Sequence, residues 1–234
     1  MEWYQKIDWL NDFIEKFYRC FIEDDRYMLL VDGIGVTIKV AVLAAVLGLL
    51  IGFVIAVCNL SNNKLLNFIG KVYTDVIRGT PSVTQLMIIY FVVFATVHWE
   101  KWIIAAIAFA INSGAYVSEI IRAGIMSIDK GQTEAGRSLG LTSTQTMFYI
   151  VVPQAIKNIF PAMGNEFITL IKETAIVGYV GLVDVQKAGD FIKSATYEAF
   201  MPLIGIAIIY FILIKALTIF LEAIEKKLRK SDVR

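Results

Sequence analysis

The sequence has few of the side chains from which metal centres and hydrolytic sites are built. Among its 234 residues there is one histidine, His98, and there are two cysteines, Cys20 and Cys58, which lie far apart. Neither cysteine belongs to a metal-type spacing, and Cys58 lies in an apolar run that favours a plain buried thiol. These scarcities exclude a histidine-rich metal site and argue against an intramembrane enzyme, which needs a nucleophile–base pair or a metal cluster.

Charge is scarce as well. Charged residues make up 18% of the chain and the formal net charge is +1, so no overall field indicates a nucleic-acid partner, and we expect none. Four prolines and 16 glycines do not suit a collagen-like or low-complexity chain. Hydrophobic residues make up 57%, which is more apolar surface than a soluble domain of this length can bury. The composition therefore predicts an all-α integral membrane protein.

The apolar runs predict about five membrane spans, because a crossing helix needs about 20 apolar residues. These runs cover about 29–58, 65–97, 102–124, 147–171 and 200–222. The stretch 172–199 is too polar for an ordinary span, and we expect short helices at one membrane face there. A membrane domain is thus predicted over 29–224, followed by a basic cytoplasmic tail over 225–234.

The second apolar run is too long for one straight crossing. About 33 residues of helix would extend about 50 Å, whereas the bilayer core is about 30 Å thick. Gly79 and Pro81 interrupt regular helix inside this run. We therefore expect this element to project from the membrane, to tilt strongly, or to break at 79–81.

The first 28 residues predict an amphipathic helix before the first span. Apolar side chains recur every three or four positions: Trp3, Ile7, Leu10, Ile14, Phe17 and Phe21. Such a helix suits the membrane interface. A helix that binds a partner protein would show the same pattern.

Lysine and arginine near the span ends predict the orientation. One side collects Lys64, Lys71, Arg122, Lys130, Arg137, Lys226, Lys227, Arg229, Lys230 and Arg234. The other side has Lys6, Lys16, Arg19, Arg26, Lys101, Lys187 and Lys193. We expect the N-terminus outside and the C-terminus in the cytoplasm, which agrees with an odd number of spans.

The most specific pattern lies in the predicted cytoplasmic loop at about 126–146. It reads Glu134-Ala135-Gly136-Arg137-Ser138-Leu139-Gly140 and is followed by Ile150 and Pro153. This resembles the signature of permease subunits of binding-protein-dependent ATP-binding-cassette importers. Gly136 stands where that signature has its second alanine, and Val152 stands where leucine is usual.

Other segments are similar to the polar amino-acid branch of this family, of the histidine, arginine and glutamine type. They are 76–81, 112–116, 120–125, 165–167 and 172–174, and the resemblance covers about 33–224. It implies a type I importer permease fold in the bacterial cytoplasmic membrane and a polar or basic L-amino acid as substrate. It also implies the partners: two ATPase subunits that bind ATP and Mg²⁺, an external substrate-binding protein, and a second permease, identical or closely related.

The resemblance assigns the loop to coupling with the ATPase, through Glu134, Ala135, Gly136, Arg137 and Gly140. The residues independently predict a short helix over 133–141 that ends at Gly140, since glycine adopts the left-handed conformation at helix ends. An ordinary loop with a solvated charge pair is the alternative. The chain has no phosphate-binding loop for ATP, so we expect no cofactor of its own.

Polar side chains inside the predicted spans are candidates for substrate binding because a charge at a helix centre costs about 2.5–3.5 kcal/mol. The candidates are Arg78, Thr80, Asn112, Ser113 and Glu166. Arg78, before an open helix start, suits an α-carboxylate, unless it marks the cytoplasmic edge of its span. Glu166 suits an α-ammonium or a basic side chain, unless it pairs with a neighbour such as Asn165 or Lys172.

The remaining polar positions leave structural alternatives open. Asn112 and Ser113 either line a cavity or form hydrogen bonds between packed helices. Glu119 and Arg122 are spaced for a local ion pair, and Asp184 is a weaker acidic candidate. A small channel or secondary carrier without an ATPase is the alternative function, although the chain shows no obvious internal repeat.

Overall fold

The computed structural model describes the backbone of residues 3–229 and the side chains of residues 8–227. This part of the chain is helical and contains no strand, which confirms the predicted class. Its α-helices are α1 (Trp3–Phe17), α2 (Tyr27–Leu60), α3 (Lys64–Arg78), α4 (Ser82–Ile88), α5 (Lys101–Met126), α6 (Lys130–Ser138), α7 (Ser143–Thr146), α8 (Val152–Glu173), α9 (Val185–Thr196) and α10 (Phe200–Arg229). Lys230 and Arg234 of the predicted basic tail lie outside the described residues.

Three of the described helices, α2, α5 and α10, are long and apolar enough to cross a membrane. The segment from α3 through α4 to Val93 makes a fourth if the bent pair counts as one crossing. The predicted span at 147–171 corresponds to a π-helical turn, Met147–Val151, and α8. Its charged residues, including Lys157 and Lys172, leave α8 less apolar than the other three. Five crossings therefore remain a prediction.

Helix α5 lies at the centre of the bundle, and its contact with α2 is the most extensive between helices. Many of its buried side chains are small: Ala105, Ala106, Ala108, Ala110, Ser113 and Ala115. On the facing helix, a Cβ atom added at Gly52 would lie 2.4 Å from Cγ1 of Val117. Small residues therefore allow the two backbones to approach closely, as is common between membrane helices.

A second packed region surrounds the start of α9. A Cβ atom added at Gly33 of α2 would lie 2.7 Å from the carbonyl carbon of Asp184. The buried Asp184 carboxylate accepts hydrogen bonds from the backbone N–H groups of Gln186 (3.2 Å) and Lys187 (3.0 Å) and from the Tyr210 hydroxyl (3.2 Å). Burial raises the pKa of the Asp184 carboxyl. Asp184 therefore caps α9 and is not exposed to a substrate.

The amphipathic helix predicted at the N-terminus is present as α1 and a π-helical continuation to Ile22. The exposed large hydrophobic side chains along it are Trp9, Leu10, Phe13, Ile14, Phe17, Tyr18 and Ile22, whereas Phe21 of the predicted stripe is buried. Arg19 donates a hydrogen bond to the carbonyl oxygen of Thr196 (3.1 Å), and the buried Cys20 lies against the same residue. The end of this helix is thereby anchored to α9, whereas its location at the membrane interface stays a prediction.

Candidate functional site

The first part of the site is a sharp bend between α3 and α4. Helix α3 ends at Arg78, α4 begins at Ser82, and the two segments are bent by 105°. Of the three alternatives that the sequence left open for this element, the structure has the break at 79–81, with Pro81 directly before the first turn of α4. The bend leaves Arg78 at the carboxyl end of α3, beside α5.

The carbonyl groups at the end of α3 are satisfied by side chains. The Thr80 hydroxyl donates to the carbonyl oxygen of Val76 (2.9 Å), and Nε2 of Gln85 donates to that of Ile77 (2.7 Å). The last carbonyls of a helix lack partners within it and need partners from elsewhere. Thr80 and Gln85 therefore stabilise the bend.

Arg78 belongs to a cluster of charged and aromatic side chains. Its Nη1 lies 3.8 Å from Oε2 of Glu119, and its guanidinium carbon lies 5.3 Å from the ring centre of Tyr116. Glu119 also binds Arg122 through two hydrogen bonds of 2.9 and 3.0 Å, which confirms the predicted local pair. Two guanidinium groups share one carboxylate, so the cluster is net positive and attracts an anion.

Glu166 lies on α8 and is held from α5. The Ser113 hydroxyl donates a 2.8 Å hydrogen bond to Oε1 of Glu166. Ser113 is buried, whereas Glu166 is half-buried. The two residues are 53 positions apart, so this contact joins separate helices and is not one of the pairs with Asn165 or Lys172 that the sequence left open.

One cavity brings Arg78 and Glu166 together. It has a volume of about 430 Å³ and lies between α3, α5 and α8, with Tyr116, Glu119 and Asn158 among its lining residues. This volume lies within the range of small-molecule sites. A guanidinium and a carboxylate in one cavity can bind a ligand that carries both a negative and a positive group.

Arg78 also lines a second cavity of about 430 Å³, between the ends of α2, α3 and α5. Lys71, Asp75 and Arg122 lie in the lining of this cavity. The Arg78 side chain is 43% exposed and borders both cavities. Arg78 and Glu119 thus line both cavities on this side of α5.

Thr80 and Asn112 do not line the Arg78–Glu166 cavity. Instead, both make hydrogen bonds with Gln85: Nδ2 of Asn112 donates to Oε1 (2.9 Å), and the Thr80 hydroxyl accepts from Nε2 (2.6 Å). Gln85 was not predicted from the sequence, because a single amide in an apolar helix has no characteristic spacing. Its position shortly after the predicted break was the one available signal.

The second part of the site is helix α6, in the loop predicted to couple with an ATPase. The helix runs over Lys130–Ser138, so the predicted range 133–141 was wrong at both ends. It starts earlier because the Asp129 carboxylate accepts a hydrogen bond from the N–H of Gly131 (2.6 Å) and caps the first turn. Gly140 has φ of +83°, which confirms the predicted left-handed residue after the helix.

Gly136 lets α6 pack closely on the chain that leads into α8. A Cβ atom added at Gly136 would lie 2.8 Å from Cγ2 of Thr146 and 2.8 Å from Cδ1 of Ile150. Both distances are well below ordinary van der Waals contact, so a larger residue would push α6 outward. The glycine in place of the second alanine therefore has a structural reason.

The charged residues of α6 do not form the pair considered from the sequence. Nη1 of Arg137 donates to the carbonyl oxygen of Leu141 (2.8 Å), and Glu134 is exposed. Ala135 is exposed on the same helix. Large apolar side chains are exposed nearby: Leu139, Phe148 and Tyr149. This combination of a charged helix and exposed apolar residues is typical of a protein-binding surface.

Residues 48–230 match the family described as binding-protein-dependent transport system inner membrane component. The chain belongs to this family. It is 43% identical over 205 residues to the arginine transport system permease protein ArtQ of Bacillus subtilis, covering 87% of this chain and 94% of that protein. It is 32% identical over 204 residues to the glutamine transport system permease protein GlnP of Escherichia coli, covering 86% and 93%.

A solved structure described as an amino acid ABC transporter with histidines shares the fold. Its TM-score is 0.81 at 42% identity, over 88% of this chain and 98% of that chain. The match confirms the predicted type I permease fold. Family membership confirms a permease subunit of an amino-acid ABC importer and disfavours a channel or secondary carrier.

Family membership also indicates the membrane in which the chain lies and the kinds of subunit it works with. Permeases of this family are multi-pass proteins of the bacterial inner membrane, so the lipid bilayer is the environment of this one. They work with a separate ATPase subunit and a substrate-binding protein. The chain is therefore a transport component, and ATP is hydrolysed by another subunit.

Proposed function

We propose that this permease imports a polar or basic L-amino acid and that the Arg78–Glu166 cavity binds its backbone groups. The observation that carries the proposal is the presence of both side chains in one cavity. Arg78 binds the α-carboxylate, because a guanidinium matches a carboxylate with two parallel hydrogen bonds. Glu166 binds the α-ammonium group, and Ser113 holds Glu166 from behind.

The names of two relatives support a substrate with a polar or basic side chain. The similar permeases are named for arginine and for glutamine, one basic and one polar amino acid. Glu119 also lines this cavity, where it already binds Arg122 and lies beside Arg78. Of the other predicted residues, Thr80 and Asn112 support the site through Gln85.

We propose further that α6 binds a groove of the ATPase subunit and transmits its closure. Glu134, Ala135, Gly136, Arg137 and Gly140 form or support this contact, together with the exposed apolar residues Leu139, Phe148 and Tyr149. Two ATPase subunits hold ATP and Mg²⁺, and a second permease, identical or closely related, completes the complex. The N-terminus is outside and the C-terminus is cytoplasmic, since basic residues collect at the α6 side of the spans.

Direct binding to the permease–ATPase complex in nanodiscs, without the external binding protein, tests the substrate site. L-arginine, L-glutamine and L-histidine are the probes. Arg78→Ala should weaken binding of the preferred amino acid at least about tenfold, while the complex assembles normally. Lys193→Ala is the matched control, because Lys193 is also ion-paired and is 41% exposed, against 43% for Arg78. Wild-type affinity in Arg78→Ala would contradict the proposal.

A further inference from the structure

Gln85 is the side chain that closes the bend between α3 and α4. Its Nε2 donates to the carbonyl oxygen of Ile77 (2.7 Å) and to the Thr80 hydroxyl (2.6 Å), and its Oε1 accepts from Asn112 (2.9 Å). Gln85 is 8% exposed and Asn112 is 4% exposed. A single buried amide therefore joins the end of α3, the bend and the middle of α5.

Both arms of the bend are held by the same turn of α5. The Tyr73 hydroxyl, on α3, donates to the carbonyl oxygen of Ile111 (2.6 Å), and Gln85, on α4, accepts from the next residue, Asn112. Arg78 lies between these two attachment points in the chain. The direction of its side chain therefore depends on both contacts.

We infer that Gln85 and Asn112 are positioning residues that direct Arg78 at the substrate carboxylate. The inference rests on the proposed function of the Arg78–Glu166 cavity. If the Gln85 amide is removed, the carbonyl of Ile77 loses its 2.7 Å hydrogen bond and keeps only the long, 3.5 Å contact with the Thr80 hydroxyl. The end of α3 then rearranges to satisfy that carbonyl, and Arg78 leaves its place beside Tyr116 and Glu119.

Direct contact with the substrate is a poor explanation for these two amides. Neither Gln85 nor Asn112 lines the cavity, and the Gln85 amide already makes hydrogen bonds through both its oxygen and its nitrogen. Asn112 is nearly fully buried. An effect of these residues on binding is therefore indirect, and loss of carboxylate recognition alone distinguishes a route through Arg78 from one through Ser113 and Glu166.

The test measures binding of the preferred amino acid and of the same molecule without its carboxylate. The decarboxylated analogue is agmatine for arginine, 4-aminobutanamide for glutamine and histamine for histidine. The complex is again in nanodiscs without the binding protein. We expect Gln85→Leu and Asn112→Ala each to weaken amino-acid binding about tenfold and to leave binding of the analogue unchanged. The double variant should be no weaker than either single variant. The exchange Gln85→Asn with Asn112→Gln keeps an amide pair of the same total length and should restore most of the affinity.

Thr218→Val is the control for loss of a polar group in a membrane helix, because its hydroxyl only donates within α10. Equal loss of amino-acid and analogue binding, or effects that add in the double variant, would overturn the positioning role. Asn112→Ser is the milder variant to use if Gln85→Leu does not assemble. A failure of the proposed function is distinguishable, since Arg78→Ala would then leave amino-acid affinity unchanged.

Discussion

Ser113 of α5 donates a 2.8 Å hydrogen bond to Glu166 of α8, and the residue before it, Asn112, holds Gln85 of α4. Neighbouring residues of one helix thus support the anionic and the cationic sides of the same cavity. Because α5 is packed extensively against α2, it holds Asn112 and Ser113 in fixed positions relative to each other. The relative positions of Arg78 and Glu166 therefore follow from α5.

The contact between Ser113 and Glu166 predicts a modest effect on substrate affinity. Ser113→Ala removes one hydrogen bond to a carboxylate, worth about 1.5 kcal/mol, so amino-acid binding should weaken about tenfold. Calorimetry on the nanodisc complex measures this change. Ser194→Ala is the control, because its hydroxyl bonds within α9. Equal amino-acid affinities in the two variants would show that Ser113 does not support substrate binding.

Two glycines of α2 should respond differently to the same substitution. Gly33→Ala places a Cβ atom 2.7 Å from the backbone of Asp184, whereas nothing lies within 4 Å of a Cβ atom at Gly35. We expect Gly33→Ala to reduce the free energy of unfolding by about 1–3 kcal/mol, because backbone atoms yield less than side chains. Gly35→Ala should change it little. Thermal unfolding of the purified permease compares the two, and equal melting temperatures would show that α9 is packed differently.

The conformation at Gly140 predicts the outcome of two substitutions. Gly140 has φ of +83°, which costs an alanine about 1–2 kcal/mol but is tolerated by asparagine. Gly140→Ala should therefore reduce substrate-stimulated ATP hydrolysis, and Gly140→Asn should keep most of it. ATPase assays on the reconstituted transporter measure both. Full activity in Gly140→Ala would show that the end of α6 does not matter for coupling.

The close packing at Gly136 predicts a dependence on side-chain size. Gly136→Ala meets Thr146 and Ile150, and Gly136→Val meets them with two further methyl groups. Coupling of ATP hydrolysis to transport should fall slightly in the alanine variant and strongly in the valine variant, since overpacking costs about 1–3 kcal/mol. The ratio of transported substrate to hydrolysed ATP measures this. The prediction fails if valine is tolerated as well as alanine.

The sequence predicted those helices and breaks that depend on residues close together in the chain. The spans at about 29–58 and 102–124 correspond to α2 and α5 within about two residues, because long apolar runs determine helix length in a membrane. The break at 79–81 was among the predicted alternatives for a different local reason, since Gly79 and Pro81 disfavour regular helix. The start of α6 was missed because the capping residue, Asp129, was not considered.

The contacts across the site could not be predicted from spacing. Glu166 lies 53 residues from Ser113, and Asn112 lies 27 residues from Gln85. Such pairs depend on how the helices pack, which no local pattern encodes. The sequence therefore identified Arg78 and Glu166 as costly intramembrane charges, but it did not identify Gln85, which supports one of them.

The most direct test of the account is whether Arg78 and the substrate carboxylate act as a pair. Affinities of the preferred amino acid and of its decarboxylated analogue are measured for wild-type and Arg78→Ala complexes in nanodiscs. We predict that the wild type prefers the amino acid at least about tenfold and that Arg78→Ala distinguishes the two by less than about twofold. The same preference in both proteins would contradict binding of the carboxylate by Arg78.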